Sequence, residues 1–166
     1  MIRKTKYFLA FAFYFVCSSA VIAQPVGWMS LQQAQAKALK NKKKVMLFAE
    51  ASWCQYCKRM HKEVFPKQSV QDSLQKYYYP VRIDVESSKK VTFNGEILTQ
   101  QALSRRFRVS GTPTTIFLDS KGKILGTQPG YLRSQIFDKL LAYVGTERYK
   151  KESFKKYLHD LGIQVQ

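Results

Sequence analysis

Trp53-Cys54-Gln55-Tyr56-Cys57-Lys58 is separated by three residues from a short apolar run, Val45-Met46-Leu47-Phe48-Ala49, and precedes a helical pattern. A Cys-x-x-Cys turn feeding a helix holds two thiols where they can bond, separate and bond again. The helix N-terminus favours the thiolate of the first cysteine. Structural zinc usually needs a second ligand pair, and the only other cysteine of the chain is Cys17. Attachment of a c-type haem needs His directly after the second cysteine, where this chain has Lys58. A redox dithiol is the reading that remains.

Helix phase extends the argument. Cys57, Met60, His61 and Val64 recur at i, i+3, i+4 and i+7 and share one face. That spacing predicts Cys57 facing inward among apolar neighbours and Cys54 at an exposed tip.

Upstream, Ser30-Leu31-Gln32-Gln33 reads as a capping box opening a helix, with Leu31, Ala34 and Ala38 inward. Asn41 and the lysines after it end that helix. The run from Val45 to Ala49 lacks alternation, as in a strand covered on both sides. Downstream, Pro66 interrupts the cysteine helix and a second stretch, Gln68 to Lys76, continues it. Tyr78 to Val85 reads as a strand, with Val81, Ile83 and Val85 alternating against Arg82 and Asp84. Ser87 to Leu98 contains Asn94-Gly95 and reads as an inserted loop or short hairpin.

Thr99 caps a helix through Phe107, and Gly111-Thr112-Pro113 leads into the strand Thr114 to Leu118. Ser120-Lys121-Gly122-Lys123 turns that strand into Ile124-Leu125-Gly126. Ser134 is expected to cap a helix carrying Ile136, Leu140 and Val144 and stopped by Gly145. A last helix is expected to bury Phe154, Tyr157, Leu158 and Leu161. A β-α-β half followed by a β-β-α half implies an α/β domain: a mixed central sheet with helices on both faces.

The N-terminus reads as an address. Arg3, Lys4 and Lys6 precede an apolar stretch from Tyr7 to Val16, and Val21-Ile22-Ala23 offers a cleavage site. The expected division is a signal peptide at 1–23 and one domain at 24–166. The apolar stretch is short for a bilayer span. Val16 stands before Cys17 where a lipid-attachment signal normally has a small residue. Export, with Cys54 and Cys57 as a lone close pair, places the dithiol in an oxidising compartment, which points to a bacterial periplasm. Setting aside Arg3, Lys4 and Lys6 leaves 25 of the 28 basic residues against 11 acidic ones. Those charges are spread along the chain with no aromatic-and-basic motif, so they read as solvated faces rather than a nucleic-acid surface.

With a strand, the Trp-Cys-x-x-Cys-Lys turn, a helix and a later Thr112-Pro113-Thr114 before a hairpin, the chain resembles the thioredoxin superfamily. The resemblance covers essentially all of the chain beyond the signal. More narrowly, it is similar to exported thioredoxin-like proteins with a longer segment before the Thr-Pro element, including periplasmic thioredoxins associated with sulfur-oxidation gene clusters. Cys-x-Tyr-Cys, Asn94-Gly95, Gly111-Thr112-Pro113-Thr114 and Pro129-Gly130-Tyr131-Leu132 carry that similarity.

The resemblance implies a thioredoxin fold, with an insert before a cis proline at Pro113 and an extra C-terminal helix. It also implies a mechanism in which Cys54 attacks a substrate disulfide and Cys57 resolves the mixed disulfide. Trp53, Gln55 and Tyr56 would tune and flank the pair, and Thr112 would present backbone to an extended substrate segment. The dithiol is itself the redox centre, so no cofactor is implied. Expected partners are disulfide-bearing periplasmic proteins and a membrane thiol-disulfide transporter as electron donor, with the protein a monomer.

The chain departs from the family at Phe48. Thioredoxins commonly carry a buried Asp there, six residues before the first cysteine, which helps the resolving thiol exchange its proton. Glu50 is the nearest carboxylate, and either assists resolution through water or faces solvent. His61 is either a packed structural residue, a group that tunes a thiol, or a Cu(I) ligand beside both cysteines. Two rival functions follow: a disulfide oxidase or isomerase, and a copper carrier.

Overall fold

The computed structural model describes residues 26–164. The expected signal segment, its cleavage site and Cys17 lie outside the described residues. Ser30 Oγ accepts from the Gln33 N–H at 3.3 Å and the Gln33 side chain answers the Ser30 N–H, closing the expected capping box. Helix α1 (Leu31–Asn41) then buries Leu31, Ala34 and Ala38. It is followed by β1 (Lys44–Glu50), α2 (Gln55–Arg59), a π-helical turn (Met60–Val64), α3 (Gln68–Tyr77) and β2 (Tyr78–Asp84). The insert is a hairpin of β3 (Lys90–Phe93) and β4 (Glu96–Thr99), leading into α4 (Gln100–Arg106). Then come β5 (Thr114–Leu118), β6 (Ile124–Pro129), α5 (Ser134–Gly145) and α6 (Phe154–Asp160).

The central sheet has the order β2-β1-β5-β6, with β1 parallel to β2 and antiparallel to β5. It is a mixed sheet between helices, as the sequence pattern implied. β1 is covered on both faces. Met46 and Phe48 belong to one core with Met60, Val64 and Phe65 of the cysteine segment and Phe137 and Leu141 of α5. Val45, Leu47 and Ala49 belong to the other, with Leu31, Ala34 and Ala38 of α1 and Leu103 of α4. The absence of alternation in β1 is the signature of this double burial.

Asn94 (φ 50°) and Gly95 (φ 85°) both have positive φ, so the insert closes on a two-residue turn of the type that fits the twist of a hairpin. Thr99 Oγ1 accepts from the Ala102 N–H at 3.0 Å and caps α4 as expected.

Three local expectations are corrected. The cysteine helix is not α-helical up to Pro66: after Arg59 it widens, and the Phe65 N–H bonds to the Met60 carbonyl at 2.9 Å. Such a turn fits an extra residue into the ladder and is frequent at functional sites. Ser134 is the first residue of α5 rather than its cap; Arg133 holds the cap position, with no side-chain bond. Leu140 and Val144 of α5 are buried as expected and Phe137 and Leu141 are buried beside them, while Ile136 is half-buried. In the last helix only Leu158 is fully buried; Phe154 and Tyr157 pack on Tyr143, at ring separations of 5.2 and 5.4 Å. Leu161 lies past the end of α6 and is exposed, because the two-turn helix stops at Asp160 before it can face inward.

Gly145 ends α5 where that helix presses on α3. A methyl group built there would lie 2.5 Å from Cγ of Tyr77. Gly145→Ala must therefore displace a ring at a packed junction, and we expect a loss of about 1–3 kcal/mol in urea unfolding. Gly126→Ala, which meets nothing within 4 Å, serves as the near-neutral control.

Candidate active site

The ends of β1 and β5 fix where the chemistry sits. Because these strands are antiparallel and Ala49 pairs with Thr114, the end of β1 and the start of β5 coincide. The Cys54–Cys57 turn leaves the first and Thr112-Pro113 enters the second, so both lie at one end of the sheet. The Thr112–Pro113 peptide bond is cis. Pro113 is buried and its carbonyl accepts from the Gly130 N–H at 2.8 Å, which ties in the Pro129-Gly130-Tyr131 segment. Tyr131 in turn lies 6.0 Å from the Tyr56 ring, on the cysteine turn. Thr112 Oγ1 is buried without a hydrogen-bond partner among the described residues.

Cys54 and Cys57 form a disulfide with a Cα–Cα distance of 5.3 Å. Cys54 is the cap of α2, and its Sγ accepts from the Cys57 N–H at 3.0 Å. This donor rewards negative charge on Cys54 Sγ, which is the sulfur the sequence assigns as attacker. One expectation needs correction. Cys54 is no exposed tip: it is 3 % exposed and Cys57 2 %. The cause is the disulfide together with the cap, which fold Sγ back over the helix N-terminus. Exposure belongs instead to the flanking residues, Trp53 at 61 % and Tyr56 at 56 %, with Gln55 exposed between the cysteines. Trp53 Nε1 donates to Glu86 at 3.0 Å, and the Arg59 guanidinium lies 4.6 Å from the Tyr131 ring centre.

Glu50 does not face solvent. It closes β1 on the same face as Phe48 and is 9 % exposed. His61 Nε2 lies 2.6 Å from Glu50 Oε2, and the Arg82 Nε–H donates to Oε1 at 2.5 Å. Burial acts to raise the Glu50 pKa, but the hydrogen bonds from His61 and Arg82 outweigh it, so the carboxyl is held below its ordinary value. Glu50, His61, Arg82, Cys57, Lys58 and Asp84 border one cleft of roughly 320 Å³. Phe48 is fully buried. The imidazole of His61 is packed edge-on to Phe48 at 5.5 Å and to Trp28 at 5.9 Å.

Sequence reading missed Arg82 and Trp28. Arg82 was legible as a polar residue in an alternating strand. Only the parallel register, which pairs Phe48 with Arg82 and Glu50 with Asp84, brings it to the carboxylate. Trp28 offered no signal, since it precedes the first helix with no periodic pattern around it. Among the described residues there is no group of three or more His, Cys, Asp or Glu side chains arranged to hold a metal ion.

A dithiol–disulfide pair capping a helix, at the same sheet end as a cis Thr-Pro loop, defines a thiol-disulfide oxidoreductase of thioredoxin fold. The chain belongs to the thioredoxin-like domain family, whose model matches residues 31–145. A thiol:disulfide interchange protein DsbD of Actinobacillus pleuropneumoniae is 35 % identical over 97 residues, which are 58 % of this chain and 15 % of that protein. The chain spans less than a fifth of the length of the curated relatives it matches. A thioredoxin-fold protein from Helicobacter pylori superposes with a TM-score of 0.66 at 23 % identity, covering 72 % of this chain and 84 % of that one. A thioredoxin from Thermus thermophilus superposes with a TM-score of 0.59 at 28 % identity, covering 73 % and 88 %.

The Glu50 network makes an acid-stability prediction. A carboxyl with a depressed folded pKa contributes stability that is complete above its ordinary value of 4.5 and is lost as pH falls through the folded value. Glu50→Gln should lower stability at pH 7 by about 1–3 kcal/mol. The gap from the parent protein should narrow below pH 4.5. Urea melts at several pH values measure it; a gap that is constant with pH would contradict the assignment.

Proposed function

We propose that the protein is an exported reductant of disulfides in periplasmic proteins. The observation that carries the exchange chemistry of this reading, in either direction, is the Cys57 N–H aimed at Cys54 Sγ at 3.0 Å. It is a donor already in place for the Cys54 thiolate that must attack. In the reduced protein the Cys54 thiolate attacks one sulfur of a substrate disulfide, whose S–S bond breaks and releases a thiolate. Cys57, as thiolate, then attacks Cys54 Sγ, expels the second substrate sulfur and leaves the Cys54–Cys57 disulfide. Two electrons pass from the dithiol to the substrate, with no cofactor in the path.

Thr112 and Pro113 form the wall against which an extended substrate segment lies, and exposed Trp53 and Tyr56 border its approach. The unpartnered Thr112 hydroxyl supports a polar contact there. Gln55 and Tyr56 between the cysteines supply no histidine to stabilise the thiolate strongly, which favours a reductant over an extreme oxidant. Glu50 serves the resolving half of the reaction by way of the imidazole it holds.

The setting is part of the proposal. Residues 1–23 act as a signal peptide and 24–166 as the exported domain, which works as a monomer. Among the described residues no helix is long and apolar enough to cross a membrane. The spent disulfide is re-reduced by a membrane thiol-disulfide transporter, and similarity to proteins named DsbD supports that partnership.

The reduction potential of the Cys54–Cys57 pair tests the direction. A value near about −270 mV is expected, whereas one near about −120 mV would make the protein an oxidant. In cells, Cys57→Ala should accumulate mixed disulfides on Cys54, visible as adducts that collapse with reductant. If none forms, the catalytic reading is lost.

A further inference from the structure

In the reduced protein, Cys57 is a buried thiol that must lose a proton before it can resolve the mixed disulfide. Phe48, fully buried on the strand that leads into the cysteine turn, has no proton to exchange. The cysteine segment nonetheless carries a titratable group one turn on. His61 follows Cys57 by four residues, borders the same cleft, and is 30 % exposed through its side chain. A cleft of roughly 320 Å³ between polar groups has room for ordered water.

The hydrogen bonds fix which imidazole nitrogen is available. Glu50 is held in its ionised form by Arg82 and His61, and an ionised carboxylate only accepts. At 2.6 Å, His61 Nε2 is therefore the donor to Glu50 Oε2. In the neutral ring the lone pair then belongs to Nδ1, which has no protein hydrogen-bond partner among the described residues. Packing holds the ring in place: Phe48, Trp28 and Phe65 lie against it at ring separations of 5.5, 5.9 and 5.3 Å. The charged groups at the cleft are Glu50 and Asp84 from the strands, Arg82 beside them, and Lys58 from α2.

We infer that His61 is the proton acceptor for the resolving thiol, with Glu50 as the positioning residue that sets its tautomer and Arg82 as the anchor of Glu50. This inference deepens the proposed function and rests on it. The Cys57 S–H proton passes to His61 Nδ1, directly or through one water. The thiolate attacks Cys54 Sγ, the Cys54–substrate bond breaks, and the departing substrate thiolate or solvent takes the proton from the imidazolium. While charged, the imidazolium faces the Glu50 carboxylate. Run backwards, the same residues reprotonate Cys57 when the Cys54–Cys57 disulfide is opened.

A disulfide of two chromophoric aromatic thiols separates the steps, because the reduced protein releases one equivalent on attack by Cys54 and a second on resolution by Cys57. In the parent protein the rate of the second phase should depend on pH through the base that takes the Cys57 proton. His61→Gln should remove that contribution and slow the second phase by roughly 10²-fold at pH 7, the low end of general acid–base effects, leaving the first phase within about twofold. Glu50→Gln should slow the second phase less than His61→Gln does, because the imidazole remains while its orienting acceptor is lost. If His61→Gln leaves the second phase and its profile unchanged, or slows both phases alike, the inference fails while the oxidoreductase reading stands. If His61→Gln loses its near-ultraviolet circular dichroism, Glu50→Gln decides: slowing confined to the second phase supports the relay, and no change overturns it. Failure of the parent protein to release a second equivalent would defeat the oxidoreductase reading itself, and the inference with it.

Discussion

The pairing of β1 on both edges and its burial on both faces is the constraint on which the rest depends. A strand paired with β2 on one side and β5 on the other cannot slide, because each residue is held in register twice. A slip of one residue would move Met46, Phe48 and Glu50 onto the face of Val45, Leu47 and Ala49 and exchange the two cores. The end of β1 is therefore a fixed point. From it the chain launches the cysteine turn, and beside it, across one ladder, the cis Thr112-Pro113 loop enters. Across the other ladder stands Asp84, with Arg82 two residues before it. The redox sulfurs, the cis Thr112-Pro113 loop and the ionic network are assembled by one strand end and its two neighbours.

The two faces of that strand do different work. The face carrying Val45, Leu47 and Ala49 belongs to a mostly aliphatic core with α1 and α4, which also holds Phe93 and Phe107. The face carrying Met46, Phe48 and Glu50 runs from aliphatic to aromatic to charged as it nears the active end. Phe48 forms near-perpendicular ring contacts with Phe65 and His61, at 4.9 and 5.5 Å. Edge-to-face rings add packing energy and orientation, so the imidazole is placed by aromatic contacts as well as by Glu50. The π-helical turn belongs to the same arrangement. By widening the helix just after Cys57, it buries Met60, Val64 and Phe65 together while leaving His61 at the cleft.

Most of this architecture was legible because it rests on local rules. The capping box at Ser30, the Asn94-Gly95 turn, the Thr99 cap and the unbroken apolar run of β1 each announce their element within a few residues. The cysteine spacing announces the chemistry in the same way. What the sequence did not announce depends on pairing or on small shifts of phase. Arg82 reaches Glu50 only through the parallel register of β1 and β2, which no residue near Arg82 declares. The π turn is a change of one hydrogen-bond step inside a good amphipathic pattern, so an i, i+3, i+4 reading passes over it. Burial of Cys54 arises from closure of the disulfide over the helix cap, and spacing cannot separate that from an exposed tip.

The exchange of a carboxylate for Phe48 has consequences that reach beyond one position. An ionised carboxylate at position 48 would lie wholly inside the core, where desolvation opposes its charge and favours its protonated form. A phenyl ring there removes that cost but also removes the proton. Two residues further on the same face the strand reaches the cleft, and a carboxylate at Glu50 can be paired on one oxygen by a half-exposed guanidinium and on the other by an imidazole. Those partners keep Glu50 ionised, which makes it a poor proton carrier and a good acceptor for an orienting hydrogen bond. The inferred proton acceptor is then the His61 ring, which a strand-end carboxylate and three aromatic side chains hold at the cleft that Cys57 also lines. Under the relay inferred for His61, a fully apolar strand interior at Phe48 is compatible with a base at the cleft, because the base stands on the cysteine segment rather than on the strand.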